Sequence, residues 1–371
     1  MHKKIALIFA VGGTAGHLYP AQALARELQE KDEPLECFFL GHGLKNSRYF
    51  DRQYFAYGDI ASRCFFWKKP WTWPATAAAL LRGIGQAFLV FKQKKPTLVV
   101  GFGSFHAFPV LVAARLCRVP YLLLESNAIL GKVNAFFVNK ALGLAYQLFE
   151  WSELHKTPFV KVKLPSLHKV PEKLSKEEAR QGYGLDPSLK TLLIFGGSQG
   201  AFSLNKALIE AMGRIKEALG CFQVIHIIGF HTDKQKTKKA YESMHIPAYV
   251  DIYEENMSQA YRAADMLIAR SGANAIAEQI LFALPALFIP YPYLKDRHQY
   301  HNASYVADKI RGAFVLEQKE LTPDLLALTL QRLAEEAPLM KQRLAAFQKS
   351  RQDLPLVDLV TRTLEQLSCR S

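Results

Sequence analysis

Short apolar runs rich in β-branched and aromatic residues alternate with longer amphipathic stretches along the whole chain. In the first half they read IALIFAV, LECFFL, TLVVGF and YLLLES; in the second, TLLIFGG, QVIHIIG, AYVDIY, MLIAR and ALFIPY. Runs that are apolar throughout, rather than at every second position, belong to strands with helices on both faces of their sheet. The pattern predicts doubly wound α/β domains. A stretch rich in proline and lysine, HKTPFVKVKLPSLHKVPEKLS, breaks the alternation and reads as a linker. Two Rossmann-like halves are therefore expected, 1–163 and 164–349, with a helical tail at about 350–371 packing back on the first. The opening MHKKIALIFAV could pass for a leader, but its apolar run is short and flows into a glycine turn, so it reads as a first strand. No stretch reaches the roughly 18 uninterrupted apolar residues of a membrane span.

Composition sharpens this picture in three ways. A chain of 371 residues is too long for one ordinary core, and 50% hydrophobic residues argue for a folded protein. The five cysteines, Cys37, Cys64, Cys117, Cys221 and Cys369, lack paired spacing, which argues against a zinc site or disulfide framework and suits a reducing compartment. The net charge of +14 is uneven: residues 1–163 hold 21 Lys+Arg against 10 Asp+Glu, and residues 164–371 hold 26 against 23. Between Asp59 and Glu125 there is no acidic residue at all, and nine basic ones. Such a field attracts an anionic surface, either nucleic acid or acidic lipid.

Five segments carry candidate chemistry. GGTAGHLYP (Gly12–Pro20) follows the first strand, and GFGSFHAFP (Gly101–Pro109) follows TLVV. GGSQGA (Gly196–Ala201) opens the second half before the helix SLNKALIEAM. Glycines let a backbone approach a ligand closely, and free amides at a helix start attract phosphate. Such a turn is equally often only a tight turn, and no acidic residue ends QVIHIIG, which counts against a nicotinamide cofactor. After MLIAR comes RSGAN, with Glu278 about two turns into the following helix. A carboxylate there could pair with both hydroxyls of a ribose; the plainer reading is a solvated helix residue. Finally YLKDRHQYHNA crowds Asp296, Arg297, His298, Gln299 and Asn302 at the carboxyl end of ALFIPYP, where open α/β sheets bind ligands.

As a set and in this order, GGTAGH, GFGSFHAFP, GGSQGA, RSGAN…E and KDR-x-Q-Y-x-N resemble the MurG family of cell-wall N-acetylglucosaminyltransferases. The likeness runs from Gly12 to about Gln318. It implies a GT-B fold, two Rossmann-like domains facing a cleft. It implies transfer of N-acetylglucosamine from UDP-GlcNAc to the 4-hydroxyl of undecaprenyl-diphospho-MurNAc-pentapeptide, with inversion and with no cofactor and no metal; Glu254–Asn256 is a weak candidate for a metal-ligand pair. The resemblance puts the donor on the second half, with Gly197, Ser198 and Gln199 by the diphosphate, Arg270 and Ser271 near the nucleotide, Glu278 on the ribose, and Gln299 on the sugar. His298 stands where the family usually has a glutamine. It puts the acceptor diphosphate on the first half, against Gly13, Thr14, Ala15 and Gly16 and against Gly103 and Ser104. Ala15 replaces a family glycine, which makes any positive φ there harder to reach. Of the family's HEQN tetrad, Glu125 and Asn127 remain, with Leu124 and Ser126 in the other places. His17 is the candidate general base, since a neutral imidazole is available near pH 7 to take a hydroxyl proton. Glu125 is the rival base, and a structural histidine is the plainer reading.

A lipid-linked acceptor requires reach to a bilayer, and the acid-free window supplies FFWKKPWTWPATAAALLRGIGQAFLVFKQKK. Trp67, Trp71 and Trp73 suit the headgroup boundary, Lys68 and Lys69 suit anionic lipid, and Leu81 and Phe88 recur at helical spacing; an ordinary core stripe is the plainer reading. The expectation is peripheral binding to anionic lipid on the cytoplasmic face of the inner membrane, with other cell-wall or division proteins as further partners. Another UDP-sugar-dependent glycolipid synthase and, from a different class, a basic nucleic-acid-binding protein are the alternatives, although no nucleic-acid module signature is present.

Overall fold

The computed structural model describes residues 5–31, 35–64, 69–148, 157–164, 174–197, 200–294 and 296–369. The chain forms two compact units, Met1–Leu167 with Asp353–Ser371, and His168–Gln352. The first unit contains strands β1 (Ile5–Gly12), β2 (Leu35–His42), β3 (Ala56–Asp59), β4 (Leu98–Gly101), β5 (Tyr121–Glu125), β6 (Gly143–Tyr146) and β7 (Phe159–Lys163). Its helices are α1 (Ala15–Gln29), α2 (Trp73–Lys94), α3 (Phe108–Leu116) and α4 (Lys132–Phe137). The second unit contains β8 (Thr191–Phe195), β9 (Gln223–Ile227), β10 (Ala248–Asp251), β11 (Met266–Ala269), β12 (Ala286–Phe288) and β13 (Ala313–Val315). Its helices are α5 (Lys176–Gln181), α6 (Phe202–Leu219), α7 (Lys234–Ser243), α8 (Met257–Ala263), α9 (Ala273–Leu281), α10 (His298–Ser304) and α11 (Pro323–Ser350). The chain then returns to the first unit as β14 (Leu354–Pro355) and α12 (Leu356–Ser368).

Among the described residues the first sheet has the order β14-β7-β6-β5-β4-β1-β2-β3, and the second β10-β9-β8-β11-β12-β13. Every pairing is parallel, as the continuous apolar runs predict. Along β1, Leu7, Phe9 and Val11 face one core with Leu18, Leu24 and Leu28 of α1. Ile8 and Ala10 face the other, with Ala87 and Phe91 of α2 and Val110 and Leu111 of α3. This is the two-residue period of a strand buried on both sides. The tail closes the first core: Leu356, Val357, Val360 and Leu364 are buried in it. In the second unit, Leu192 and Ile194 meet Leu204, Leu208 and Met212 of α6 and Leu326, Leu330 and Leu333 of α11.

The strand order fixes where ligands can go. In the first sheet β1 lies between β2 and β4, and in the second β8 lies between β9 and β11. The winding reverses between β1 and β4 and between β8 and β11, and the crevice beyond the carboxyl ends of such strands is the ligand site of open α/β sheets. GGTAGH follows β1 and GFGSFH follows β4; GGSQGA follows β8 and RSGAN follows β11.

Candidate functional site

In the first unit the chain leaves β1 and enters α1 with Thr14 as the N-cap, exposed and extended, and Ala15 as the first helical residue. Ala15 is not among the residues with positive φ, so the alanine in this family-glycine position costs the turn nothing. The two loops touch: a methyl group on Gly12 would fall 2.2 Å from Ser104 Oγ, and one on Gly13 would fall 2.8 Å from the Gly43 carbonyl oxygen. Gly16 is the opposite case, exposed with open space where a side chain would be. His17 sits in the first turn of α1, half-buried, with Nδ1 2.6 Å from the Phe102 carbonyl oxygen. A carbonyl only accepts, so Nδ1 carries the hydrogen and the neutral ring keeps its lone pair on Nε2.

Two histidines absent from the sequence expectations stand beside it. His106 bonds Ser62 Oγ through Nδ1 at 3.1 Å, and its ring centroid lies 4.9 Å from that of His42. Burial pushes His106 down to about 4, and repulsion from His42 and His17 adds to this. His106 lay inside GFGSFHAFP; only the parallel pairing of β1 with β2 and β4 brings it to His42. The buried Ser104 hydroxyl accepts from the His106 amide at 3.2 Å.

Glu125 ends β5 and is only 3% exposed. Its Oε1 accepts from the amide and the side-chain nitrogen of Asn127, each at 3.0 Å. Its Oε2 accepts from the Gly131 amide and Asn134 Nδ2, each at 2.9 Å. Burial raises its pKa and these bonds oppose the rise. Four donors on two oxygens make this carboxylate a buried peg for the loop 126–134. Gly103, at φ +78°, passes the same network: a methyl there would fall 3.0 Å from Asn134 Nδ2.

In the second unit Ser198 and Gln199 lie outside the described residues, but their flanks are defined. Gly197 and Gly200 have φ +86° and +75°, and the Gly200 amide donates to the Gly197 carbonyl at 2.9 Å. Arg270, 4% exposed, directly follows β11 and donates through Nη1 to the Ile289 and Pro290 carbonyls at 2.9 Å and through Nη2 to Gln318. Burial lowers it to about 10, and its Nε is a buried donor without a partner among the described residues. Ser271 is fully buried; its Oγ donates to the Gln299 carbonyl at 2.7 Å, and Asn302 Nδ2 donates to its carbonyl at 3.0 Å. These bonds tie α10 to the start of α9. Gln299 Oε1 accepts from the Tyr291 amide at 2.9 Å, and His298 Nδ1 lies 2.8 Å from Asp296 Oδ1. Glu278, on α9, is half-buried beside the enclosed Tyr261 phenol; desolvation raises its carboxyl to about 7 and the phenol opposes this. The second unit thus gathers Arg270, Ser271, His298 and Gln299 at the carboxyl ends of β11 and β12, with Glu278 further along α9 beside Tyr261, which their separation in sequence did not require.

Helix α2 rests on the first unit through Thr76, Gly83, Ala87 and Phe91. A methyl on Gly83 would fall 1.9 Å from the Ala61 carbonyl oxygen, so the helix cannot lift without losing this fit. The expected apolar stripe therefore divides. Phe91 belongs to the core, whereas Trp71 (73%), Leu81 (69%) and Leu89 (62%) are exposed, with Phe88 and Lys69 on the outside as well. Trp73 is half-buried, and Trp67 and Lys68 lie outside the described residues. By length and composition the segment Pro70–Lys94 could cross a membrane.

The chain matches the glycosyltransferase family 28 N-terminal domain over residues 7–145 and the family 28 C-terminal domain over residues 191–355. It is 34% identical over 361 residues to the UDP-N-acetylglucosamine–N-acetylmuramyl-(pentapeptide) pyrophosphoryl-undecaprenol N-acetylglucosamine transferase of Protochlamydia amoebophila, covering 96% of each chain. The protein of the same name from Geobacter sulfurreducens is 31% identical, with 97% of each chain covered. Among solved structures, that of Acinetobacter baumannii MurG superposes with a TM-score of 0.74 at 25% identity, over 97% of this chain and 100% of that one. The calicheamicin glycosyltransferase, at 14% identity and a TM-score of 0.70, shares the fold.

Proposed function

The chain belongs to glycosyltransferase family 28, within its MurG branch, and from this premise we infer how the two units divide one reaction. It is a hexosyltransferase that moves N-acetylglucosamine from UDP-GlcNAc to the lipid-linked MurNAc-pentapeptide of peptidoglycan synthesis. The unit 168–352 holds the donor. Glu278 accepts from the ribose hydroxyls, the glycine loop after β8 and the amides of the α9 start take the diphosphate, and Gln299 and His298 take the sugar. Negative charge grows on the diphosphate as UDP departs, and fixed amides and helix N-termini stabilise it with no reorganisation.

The unit formed by 1–167 and 353–371 holds the acceptor, its diphosphate against the loops after β1 and β4. His17 Nε2 takes the proton of the attacking 4-hydroxyl, and the anomeric configuration inverts. The observation that carries this role is the 2.6 Å contact of Nδ1 with the Phe102 carbonyl. It leaves Nε2 as the basic nitrogen and goes on accepting from the imidazolium once the proton has moved. Glu125, through Asn127 and Asn134, holds the neighbouring loop.

The exposed face of α2, Leu81, Phe88 and Leu89 with Lys92, together with Lys69 and Trp71 just before the helix, docks on anionic lipid at the cytoplasmic face of the inner membrane. One helix face packed on a unit and one left apolar suits a helix lying in the interface. Titration calorimetry with UDP-GlcNAc tests the division of labour. Heat of binding should appear with the wild type, vanish with Glu278→Ala and survive in His17→Ala; loss in His17→Ala with retention in Glu278→Ala would reverse the assignment.

A further inference from the structure

The amide of Asn205, in the first turns of α6, is the last link of a buried chain of hydrogen bonds that spans three elements. Asn205 Nδ2 donates to the Ile228 carbonyl at 2.7 Å and to Thr232 Oγ1 at 2.9 Å. Its amide nitrogen is thereby committed, so Oδ1 faces His226 Nε2, 3.2 Å away, and can only accept. Nε2 therefore carries the hydrogen and Nδ1 the lone pair, which accepts from the Tyr241 hydroxyl at 2.9 Å. Each of the three side chains is at most 1% exposed. Every donor has one acceptor, and only one arrangement of the Asn205 amide satisfies them all. Burial pushes His226 down to about 3, so the ring stays neutral and the pattern does not change in the physiological range.

The carbonyl held by Asn205 is also the floor of the glycine loop. A methyl on Gly200 would fall 2.9 Å from the Ile228 oxygen and 2.8 Å from Gly229 Cα, so the loop after β8 lies directly on the backbone that the chain of bonds immobilises. The Asn205 backbone N–H in turn donates to the Ala201 carbonyl, at the other end of that loop, at 2.9 Å. Unpaired polar groups at full burial are costly, so a network of this kind persists only where all its members are satisfied together, and it then fixes one geometry.

We propose that His226, oriented by Tyr241, is a positioning residue for donor binding: through Asn205 it sets the Ile228–Gly229 backbone on which Gly200, at the end of the glycine loop, rests. The inference rests on the reading of that loop as the diphosphate site. Truncation should act on the donor alone. Tyr241→Phe removes a single hydroxyl, and His226→Leu removes both bonds; each should raise the KM for UDP-GlcNAc, the latter by about tenfold, the weight of one or two lost buried bonds. The value of kcat at saturating donor and the KM for the acceptor should stay as in the wild type. His226→Gln, which restores a donor toward Asn205, should recover most of the loss. Ser198→Ala provides the control on the loop itself. If it leaves the donor KM unchanged, the loop reading falls and the inference with it. If it raises the donor KM while Tyr241→Phe and His226→Leu do not, the positioning role alone falls. A fall in kcat and a rise in both KM values without recovery in His226→Gln would mark the network as merely structural. Tyr241→Phe, the mildest change, keeps the test decisive if His226→Leu fails to fold.

Discussion

His17 lies in the first turn of α1 after β1 and Glu125 ends β5, and their surroundings suit them to different work. His17→Ala should lower kcat by about 10²- to 10⁴-fold, the usual worth of a general base, with the KM for UDP-GlcNAc unchanged. Glu125→Gln should do the reverse. It turns an amide nitrogen toward groups that only donate, which costs about 1–3 kcal/mol of stability, read as a lower melting temperature, while kcat of the folded enzyme is retained. A loss of turnover in Glu125→Gln with no change in melting temperature would restore it as a base. Glu278 gives a pH signature. Its carboxyl is raised by burial to about 7, so in the free protein its contribution to stability is full below the ordinary value near 4.5 and is lost as pH rises through about 7. Ribose hydroxyls favour the ionised form. UDP-GlcNAc should therefore bind about tenfold more weakly at about pH 6 than at about pH 8, and Glu278→Gln should abolish that slope. A flat profile in the wild type would remove the carboxylate from the ribose.

At the scale of elements, the exposed face of α2 carries the proposed contact with a bilayer. Leu81→Glu with Phe88→Glu should weaken sedimentation with anionic vesicles and leave the melting temperature unaltered, because both side chains are exposed while Thr76, Gly83, Ala87 and Phe91 hold the helix in place. Unchanged sedimentation would assign this face to another partner. The same helix shows what a sequence discloses. Its helical spacing was legible, but which of Leu81, Phe88 and Phe91 faces inward was not, because that depends on how closely Gly83 fits under residue 61. The parallel strands were legible because burial on both faces leaves continuous apolar runs, as in TLLIF and YLLLE. Strands of only three or four residues, such as β3 and β13, are too short to carry such a signal. The glycine loops were legible as motifs. The meeting of His17, His42 and His106, and the relay from Tyr241 to Asn205, were not, because each arises from strand order and from side chains far apart in sequence.

At the scale of the whole molecule, the chain's return to its first unit couples the tail to the acceptor half. Leu356, Val357, Val360 and Leu364 are buried there, and each buried leucine lost costs about 2–5 kcal/mol. A chain ending at Gln352 should lose the cooperative unfolding of the first unit and all transfer, yet still bind UDP-GlcNAc, because every residue proposed for the donor lies within 168–352. Loss of UDP-GlcNAc binding in that truncation would show the donor site to need the first unit. The transfer reaction itself bears most directly on the assignment: radiolabelled sugar is followed from UDP-GlcNAc to the lipid-linked MurNAc-pentapeptide. Labelled lipid should form with the wild type and from UDP-GlcNAc in preference to UDP-glucose, and should be abolished in Glu278→Ala. No labelled lipid with the wild type, or equal label from UDP-glucose, would contradict the account.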